Sequence, residues 1–262
     1  MAKFVNLYSS SKGNSSYAGN SAGGILIDVG KSYKFTKESL QRNRISLDDI
    51  KAIFITHEHS DHICGLRVFL NQKKVPVFAT QGTLNSLLKK GILNNKDEYY
   101  DINSGTEICN MQIIPFATSH DSAESCGYKI VFRADTSFCV ATDTGIITDD
   151  MREKIIGCNG ILLETNYDDK MLYYGYYPRK IKDRISSNLG HLSNYSAAKF
   201  AFELLKSNTT RFILGHLSEN NNLPELSFDT VTKSLCTNGA REKEDYLIDV
   251  ASSKFGSQEF IL

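Results

Sequence analysis

Three of the chain's six histidines fall in one hexapeptide, His57-Glu58-His59-Ser60-Asp61-His62, directly behind the apolar run Ala52-Ile53-Phe54-Ile55-Thr56. A short apolar run rich in β-branched and aromatic residues predicts a buried strand. The hexapeptide is then the loop leaving that strand, with a helix expected over Ile63 to Leu70. Strand exits are where α/β proteins place their chemistry. In an extended strand end, residues i and i+2 project to one side, so His57 and His59 can share one metal ion. Asp61 and His62 follow as the chain turns and point to a second position beside the first. A lone histidine is more often a satisfied core or surface residue, but three with an aspartate inside six residues are better explained as ligands. Imidazole suits zinc, iron or manganese, and carboxylates shift preference toward harder ions.

The 262 residues are long enough to bury a large core, and 30 basic residues balance 30 acidic ones. A net charge of zero excludes a global field for nucleic acid or membrane, so any polyanionic partner must be held by a local patch. Cys64, Cys109, Cys126, Cys139, Cys158 and Cys236 form no C-x-x-C pair. Several lie in strand-like runs and read as buried reduced thiols. Cys64, two residues past His62, is placed to line the site. No apolar leader or membrane-length run is present, so a soluble, cytoplasmic protein with no membrane partner is expected.

Strand-like and helical segments alternate, first in one half and then again in the other. Lys3 to Tyr8, Ser16 to Ala18 and Ile25 to Val29 predict antiparallel strands joined by Ser/Gly/Asn turns. A helix over Phe35 to Asn43, the strand Ala52 to Thr56, Val77 to Ala79 and a helix over Thr83 to Lys90 complete that half. The second half opens with strands Glu107 to Cys109, Gln112 to Ala117, Gly127 to Arg133 and Ser137 to Ala141. A helix at Thr148 to Ile156, a strand at Gly160 to Glu164, a helix at Tyr195 to Lys206, a strand at Arg211 to Leu214, a helix near Glu225 to Leu235 and a strand at Leu247 to Ala251 follow. Sheets covered by helices, twice over, predict a single α/β domain spanning 1–262, a four-layered α-β-β-α sandwich with the metal loops along one edge. Tyr167 to Asn188 breaks the rhythm. Its tyrosines Tyr173, Tyr174, Tyr176 and Tyr177 and its cations Arg179, Lys180, Lys182 and Arg184 predict an arm or loop over the site. Such a composition suits base stacking and phosphate contact, or equally a solvated loop whose tyrosines pack on the domain.

Three further candidates each end a strand-like run: His120 after Ile113 to Ser119, Asp143 after Cys139 to Thr142, and His216 after Phe212 to Gly215. With these residues the chain resembles the metallo-β-lactamase fold superfamily over essentially its whole length. The resemblance implies two divalent metal ions, zinc or manganese. One would be held by His57, His59 and His120 and the other by Asp61, His62 and His216, with Asp143 bridging both. True β-lactamases carry a Cys at the position of Asp143, and β-CASP nucleases insert a domain for which the segment between Asn166 and His191 is too short.

More specifically, Ser9-Ser10-Ser11-Lys12-Gly13-Asn14-Ser15-Ser16, the stretch Tyr177-Pro178 through Lys182-Asp183-Arg184-Ile185, Gly190-His191-Leu192-Ser193-Asn194, and Gly215-His216-Leu217-Ser218-Glu219-Asn220-Asn221 resemble the YycJ/WalJ branch. Lys12 departs from that branch, where a small residue is usual. The branch implies 5′→3′ DNA exonucleolysis linked to DNA repair, with DNA as the expected partner and RNA a possible one. The chemistry is then metal-assisted phosphodiester hydrolysis, with Asp61 in the catalytic centre. His191 is outside the implied ligand set and is the expected proton donor, its blander role being to bind phosphate or brace the fold. Asp28 and Glu164, both at strand ends, are expected to orient ligating histidines. Asn14 and Ser15 in the first turn, with Asn166, Arg179, Lys180 and Lys182, are the expected substrate contacts, the turn offering backbone N–H groups and the Lys12 charge to a 5′-phosphate. Its plain alternative is a turn that merely links two strands. A cyclic-phosphate phosphodiesterase and a metal-binding regulator without catalysis are the competing functions.

Overall fold

The computed structural model describes residues 2–133 and 136–261. β1 (Lys3–Tyr8), β2 (Ser15–Asn20) and β3 (Gly23–Ile27) form an antiparallel meander. α1 (Tyr33–Arg42) is started by Ser32, whose side chain accepts the Phe35 N–H, and is followed by β4 (Ile50–Phe54), parallel to β3. The expected helix at Ile63 to Leu70 is two pieces, α2 (Ser60–Ile63) and α3 (Leu66–Gln72). The break falls at Gly65, where an added Cβ would meet the Lys31 carbonyl oxygen at 1.9 Å, so the strand exit and the helix can approach only through a glycine. β5 (Val77–Ala79), α4 (Gln81–Lys89) and β6 (Tyr99–Asp101) complete the first half.

The second half runs β7 (Thr106–Ile108), β8 (Met111–Ala117), β9 (Cys126–Arg133), β10 (Thr136–Ala141), α5 (Asp149–Ile155) and β11 (Gly160–Glu164). Where an irregular arm was expected, two short helices stand, α6 (Asp169–Tyr174) and α7 (Arg179–Ile185). Asp168 starts the first by accepting the Lys170 and Met171 N–H groups, and Pro178 precedes the second. α8 (Asn194–Lys206), β12 (Arg211–Gly215), α9 (Pro224–Thr237), β13 (Leu247–Val250) and β14 (Phe260–Ile261) follow.

Among the described residues the strands make two seven-stranded sheets, in the orders β14-β1-β2-β3-β4-β5-β6 and β13-β12-β11-β10-β9-β8-β7. Successive side chains along each strand point to opposite faces, and that alternation decides the layers. Ile25, Ile27, Ala52 and Phe54 of one sheet and Phe138, Val140, Leu162 and Ile213 of the other share the central core. Their neighbours Leu26, Ile53 and Ile55 face the opposite way, onto α3 and α4 through Leu66, Phe69 and Leu84. Cys139, Ala141, Ile161, Leu163 and Leu214 likewise face α5, α8 and α9. The result is the α-β-β-α sandwich. Phe4 of β1 stacks on Phe138 of β10 across the two sheets, centroids 3.8 Å apart. β3 and β4 run parallel to each other, as do β10, β11 and β12, so their carboxyl ends deliver 28, 55–62, 143, 164 and 216 to a common edge.

Candidate metal centre

Asp28 sits just past β3 with φ 61°, in the left-handed region, and is buried. Its Oδ1 accepts the Thr56 N–H at 2.9 Å, its Oδ2 accepts the Thr56 hydroxyl at 2.9 Å, and Oδ2 also lies 2.7 Å from His62 Nδ1. Because the Thr56 proton goes to Asp28, Thr56 Oγ1 is left to accept from His57 Nδ1, 3.0 Å away. One carboxylate thereby fixes the ring orientation of two histidines and turns both Nε2 atoms inward. His120 Nδ1 is bonded to the Gly190 carbonyl at 3.0 Å, and His216 Nδ1 to Glu164 Oε1 at 2.8 Å, so their Nε2 atoms face the centre as well. His59 Nδ1 approaches His120 Nε2 at 3.2 Å.

The ligand-capable atoms of His57, His59 and His120 lie within 4.8 Å of one another, as do those of Asp61, His62 and His216, and those of His57, His62 and Asp143. His62 Nε2 is 3.2 Å from Asp143 Oδ2 and 3.4 Å from Asp61 Oδ2, and His216 Nε2 is 3.4 Å from Asp61 Oδ2. His57 Nε2 is buried without a hydrogen-bond partner, and Asp143 Oδ2 has only the His62 ring beside it. An orphaned buried acceptor such as His57 Nε2 costs stability unless something positive sits against it. A divalent cation is what this donor set fits.

The charges say the same. Burial alone would push the His216 imidazole down, yet Asp143, Asp61 and Glu164 outweigh it and raise it to about 10. His62, fully buried, is likewise held well above its usual value against burial by Asp143, Asp28 and Asp61. Burial would raise the Asp61 and Asp143 carboxyls, but His62 and His216 hold both below the carboxylate range. His57 is the exception, kept well below its ordinary value by burial and by the charge of His62. Protons on His62 and His216 thus stand in for the cation that would displace them.

His191 also reaches the centre, and its Nδ1 groups with Asp143, Glu164 and His216 within 4.8 Å. That Nδ1 lies 2.8 Å from Glu164 Oε1 and 3.8 Å from Asp143 Oδ1, so a proton there is given to Glu164, as it is from His216. Glu164, fully buried, holds His191 and His216 with one oxygen and receives the Thr144 N–H at 2.8 Å with the other.

The expected substrate contacts divide. Asn14 Nδ2 is 3.3 Å from Asp61 Oδ2 and 3.2 Å from His62 Nε2, Ser15 donates to the Asp28 carbonyl, and buried Asn166 donates to the His216 carbonyl at 2.8 Å. These groups brace the centre. In the first turn the N–H groups of Ser10, Lys12, Gly13 and Asn14 bond within the protein. Lys12 itself pairs with Glu219. On the arm, Arg179 pairs with Asp183 at 2.7 Å and Lys182 donates to the Tyr173 carbonyl at 2.7 Å; the Lys180 ammonium has no partner among the described residues. Cys64 is exposed and belongs to none of the ligand groups.

Two contributors escaped the sequence reading. Thr56, two residues past β4 and given no role by the sequence, relays Asp28 to His57. Glu58 accepts the Ala123 N–H at 2.9 Å and so anchors the loop carrying His120. Glu58 was hinted at only by its place inside the histidine hexapeptide, and Thr56 only by its place directly before it.

This fold and this cluster define a class. The beta-lactamase superfamily domain model matches residues 24–217, and the chain belongs to that superfamily of metal-dependent hydrolases. Within it the chain is YycJ/WalJ-like. It is 34% identical to exodeoxyribonuclease YycJ of Bacillus anthracis over 234 residues, 88% of each chain. It is 34% identical to exodeoxyribonuclease WalJ of Streptococcus pneumoniae over 237 residues, 89% of this chain and 88% of that one. Zn(2+)-bound PqqB of Methylobacterium extorquens shares the fold with a TM-score of 0.73 at 17% identity, covering 99% of this chain and 100% of that one. No helix among the described residues is long and apolar enough to cross a membrane.

Proposed function

We propose that the chain is a binuclear phosphodiesterase that degrades DNA exonucleolytically from a 5′ end, in DNA repair. The observation that carries the reading is the pair of adjacent triads, His57–His59–His120 and Asp61–His62–His216, with Asp143 within reach of both and His191 beside them but bonded to Glu164. Five imidazoles and two carboxylates suit zinc or manganese. Cations held there would activate water and offset the charge developing on the phosphoryl oxygens. His191 keeps one ring nitrogen on Glu164, and its side chain is 13% exposed. The other nitrogen is then the one that delivers a proton to the departing oxygen. The likeness to two exodeoxyribonucleases over nearly nine-tenths of the chain supports DNA as substrate; the polarity rests on the resemblance alone.

The test is a metal-supplemented assay on duplexes labelled at one end or the other, a covalently closed circle, and bis-p-nitrophenyl phosphate. The reading requires short products from the 5′ label while the 3′ label stays long, with the circle intact. Cleavage of the circle would make the enzyme an endonuclease, and turnover of the small diester alone would make it a small-molecule phosphodiesterase.

A further inference from the structure

The arm departs from the charge-driven grip that its composition predicts. Residues 167–188 hold five cations (Lys170, Arg179, Lys180, Lys182, Arg184) against three aspartates. Three of the five are engaged: Arg179 with Asp183, Lys182 with the Tyr173 carbonyl, and Arg184 with both oxygens of Asp121 at 2.6 and 2.9 Å. Lys170 and Lys180 remain, a small charge with which to hold a duplex backbone.

The aromatic groups are free instead. Tyr173, Tyr174 and Tyr176 are 68%, 80% and 77% exposed, far beyond what a folded domain ordinarily leaves to tyrosine. Tyr173 and Tyr174 meet edge to face at 4.9 Å, which fixes the angle between two open ring faces. Tyr173 also lines a cavity of about 490 Å³ between α6 and α7, with Tyr167, Leu172, Arg179, Lys182 and Ser186, a size proper to small-ligand sites. The platform is continuous with the metal centre. The Ile185 carbonyl that ends α7 accepts the His191 N–H at 2.8 Å, and Tyr177 accepts from Asn220, four residues past His216, at 2.7 Å.

We infer that the arm is a stacking platform for unpaired nucleobases, so that the strand entering the metal centre is engaged single-stranded. Paired bases present no ring face to these tyrosines. Unpaired ones do, and the two free lysines suit the sparse phosphates of a single strand. The inference rests on the DNA-hydrolase reading above and names the form of its substrate.

The experiment measures binding of phosphorothioate-protected 12-mers to the metal-loaded protein: a single strand, the same backbone with abasic residues, and a duplex. The chain contains no tryptophan but 13 tyrosines, so the part of the quenching of tyrosine emission that is lost when Tyr173, Tyr174 and Tyr176 are replaced with Phe reports the platform. The single strand is expected to bind at least about tenfold more tightly than its abasic counterpart and to quench that emission, since each stacked base contributes on that order. Replacing Tyr173, Tyr174 and Tyr176 with Ala should erase the difference, and replacing them with Phe should keep it. The abasic comparison uses the wild-type protein and therefore holds however the alanine variant folds. Equal affinity for base-bearing and abasic strands, or tighter binding of the duplex than of the single strand, overturns the inference while leaving DNA hydrolysis intact. Hydrolysis of a small diester with none of DNA removes the reading and the inference together.

Discussion

At the scale of single residues the centre separates into atoms that hold a cation and atoms that aim them. His191 and Asp143 are the discriminating pair. His191→Ala should lower kcat by about 10²–10⁴-fold while elemental analysis still finds about two ions per chain. Asp143→Ala, which removes the carboxylate lying between His62, His120 and His216, should lose metal along with activity. Loss of metal from the His191 variant would return that residue to the ligand set. The candidate ligands were legible because each follows an apolar run that can only be a buried strand. What the sequence hid was direction. Asp28, Asp143 and His216 all adopt positive φ, 61°, 58° and 57°, immediately after their strands. Such strain persists only where surrounding hydrogen bonds over-determine it, and no periodicity announces that.

Elements were legible where a run of apolar residues or a helical pattern marks them. β5, β11 and the long α8 are placed from the sequence within a residue, whereas β6 and β14, polar or very short, exist only because a neighbouring strand pairs with them. α6 and α7 were hidden because their tyrosines and lysines obscured the small cluster of Tyr167, Leu172 and Ile185 that packs beneath them. Between elements, Arg67 on α3 grips Asp97 beyond α4, its Nη2 bonding Oδ1 at 3.0 Å, and the Asn94 N–H reaches Oδ2 at 2.9 Å. The Arg67 hydrogen bond, with Asn94 and Lys74 behind it, holds the Asp97 carboxyl below its usual range. A depressed carboxyl stabilises the fold above its unfolded pKa of about 3.9, and that contribution disappears as pH falls through the folded value. Asp97→Asn should therefore cost about 1–2 kcal/mol in urea unfolding at neutral pH. The gap to wild type should close as the pH falls below the unfolded value of about 3.9 and through the lower folded one; a gap that persists there would mean that packing, and not charge, holds the turn.

For the whole molecule the decisive contact is between sheets. Phe138 is fully buried, stacked on Phe4 and tilted against Phe260 at 6.3 Å. Phe138→Ala should destabilise the protein by about 3–5 kcal/mol. We propose one domain over the whole chain, in which case near-ultraviolet dichroism and metal release should report a single transition at a lower denaturant midpoint. Separate transitions would divide the sandwich into two folding units. The four layers themselves were legible because period-two patterning assigns each strand two faces, and two faces on two sheets need helices on both outsides. The closure of the edge was not. Ser9 in the first turn donates its hydroxyl to no strand partner but to Asn14, and its Oγ accepts the His216 N–H at 2.7 Å, across 207 positions of sequence.

That closure carries a consequence for the time at which a ribosome-made copy becomes active. The three imidazoles proposed for one ion are all synthesised by residue 120, but the triad proposed for the other is completed only by His216, whose backbone is then tied to Ser9. At roughly 5–20 residues per second, several seconds separate the synthesis of His120 from that of His216, and the Gly190 carbonyl that orients His120 is made only in that interval. On the two-ion reading proposed above, cutting power would therefore arrive only with the last of the ligands, sparing the nucleic acids that surround the chain's own synthesis.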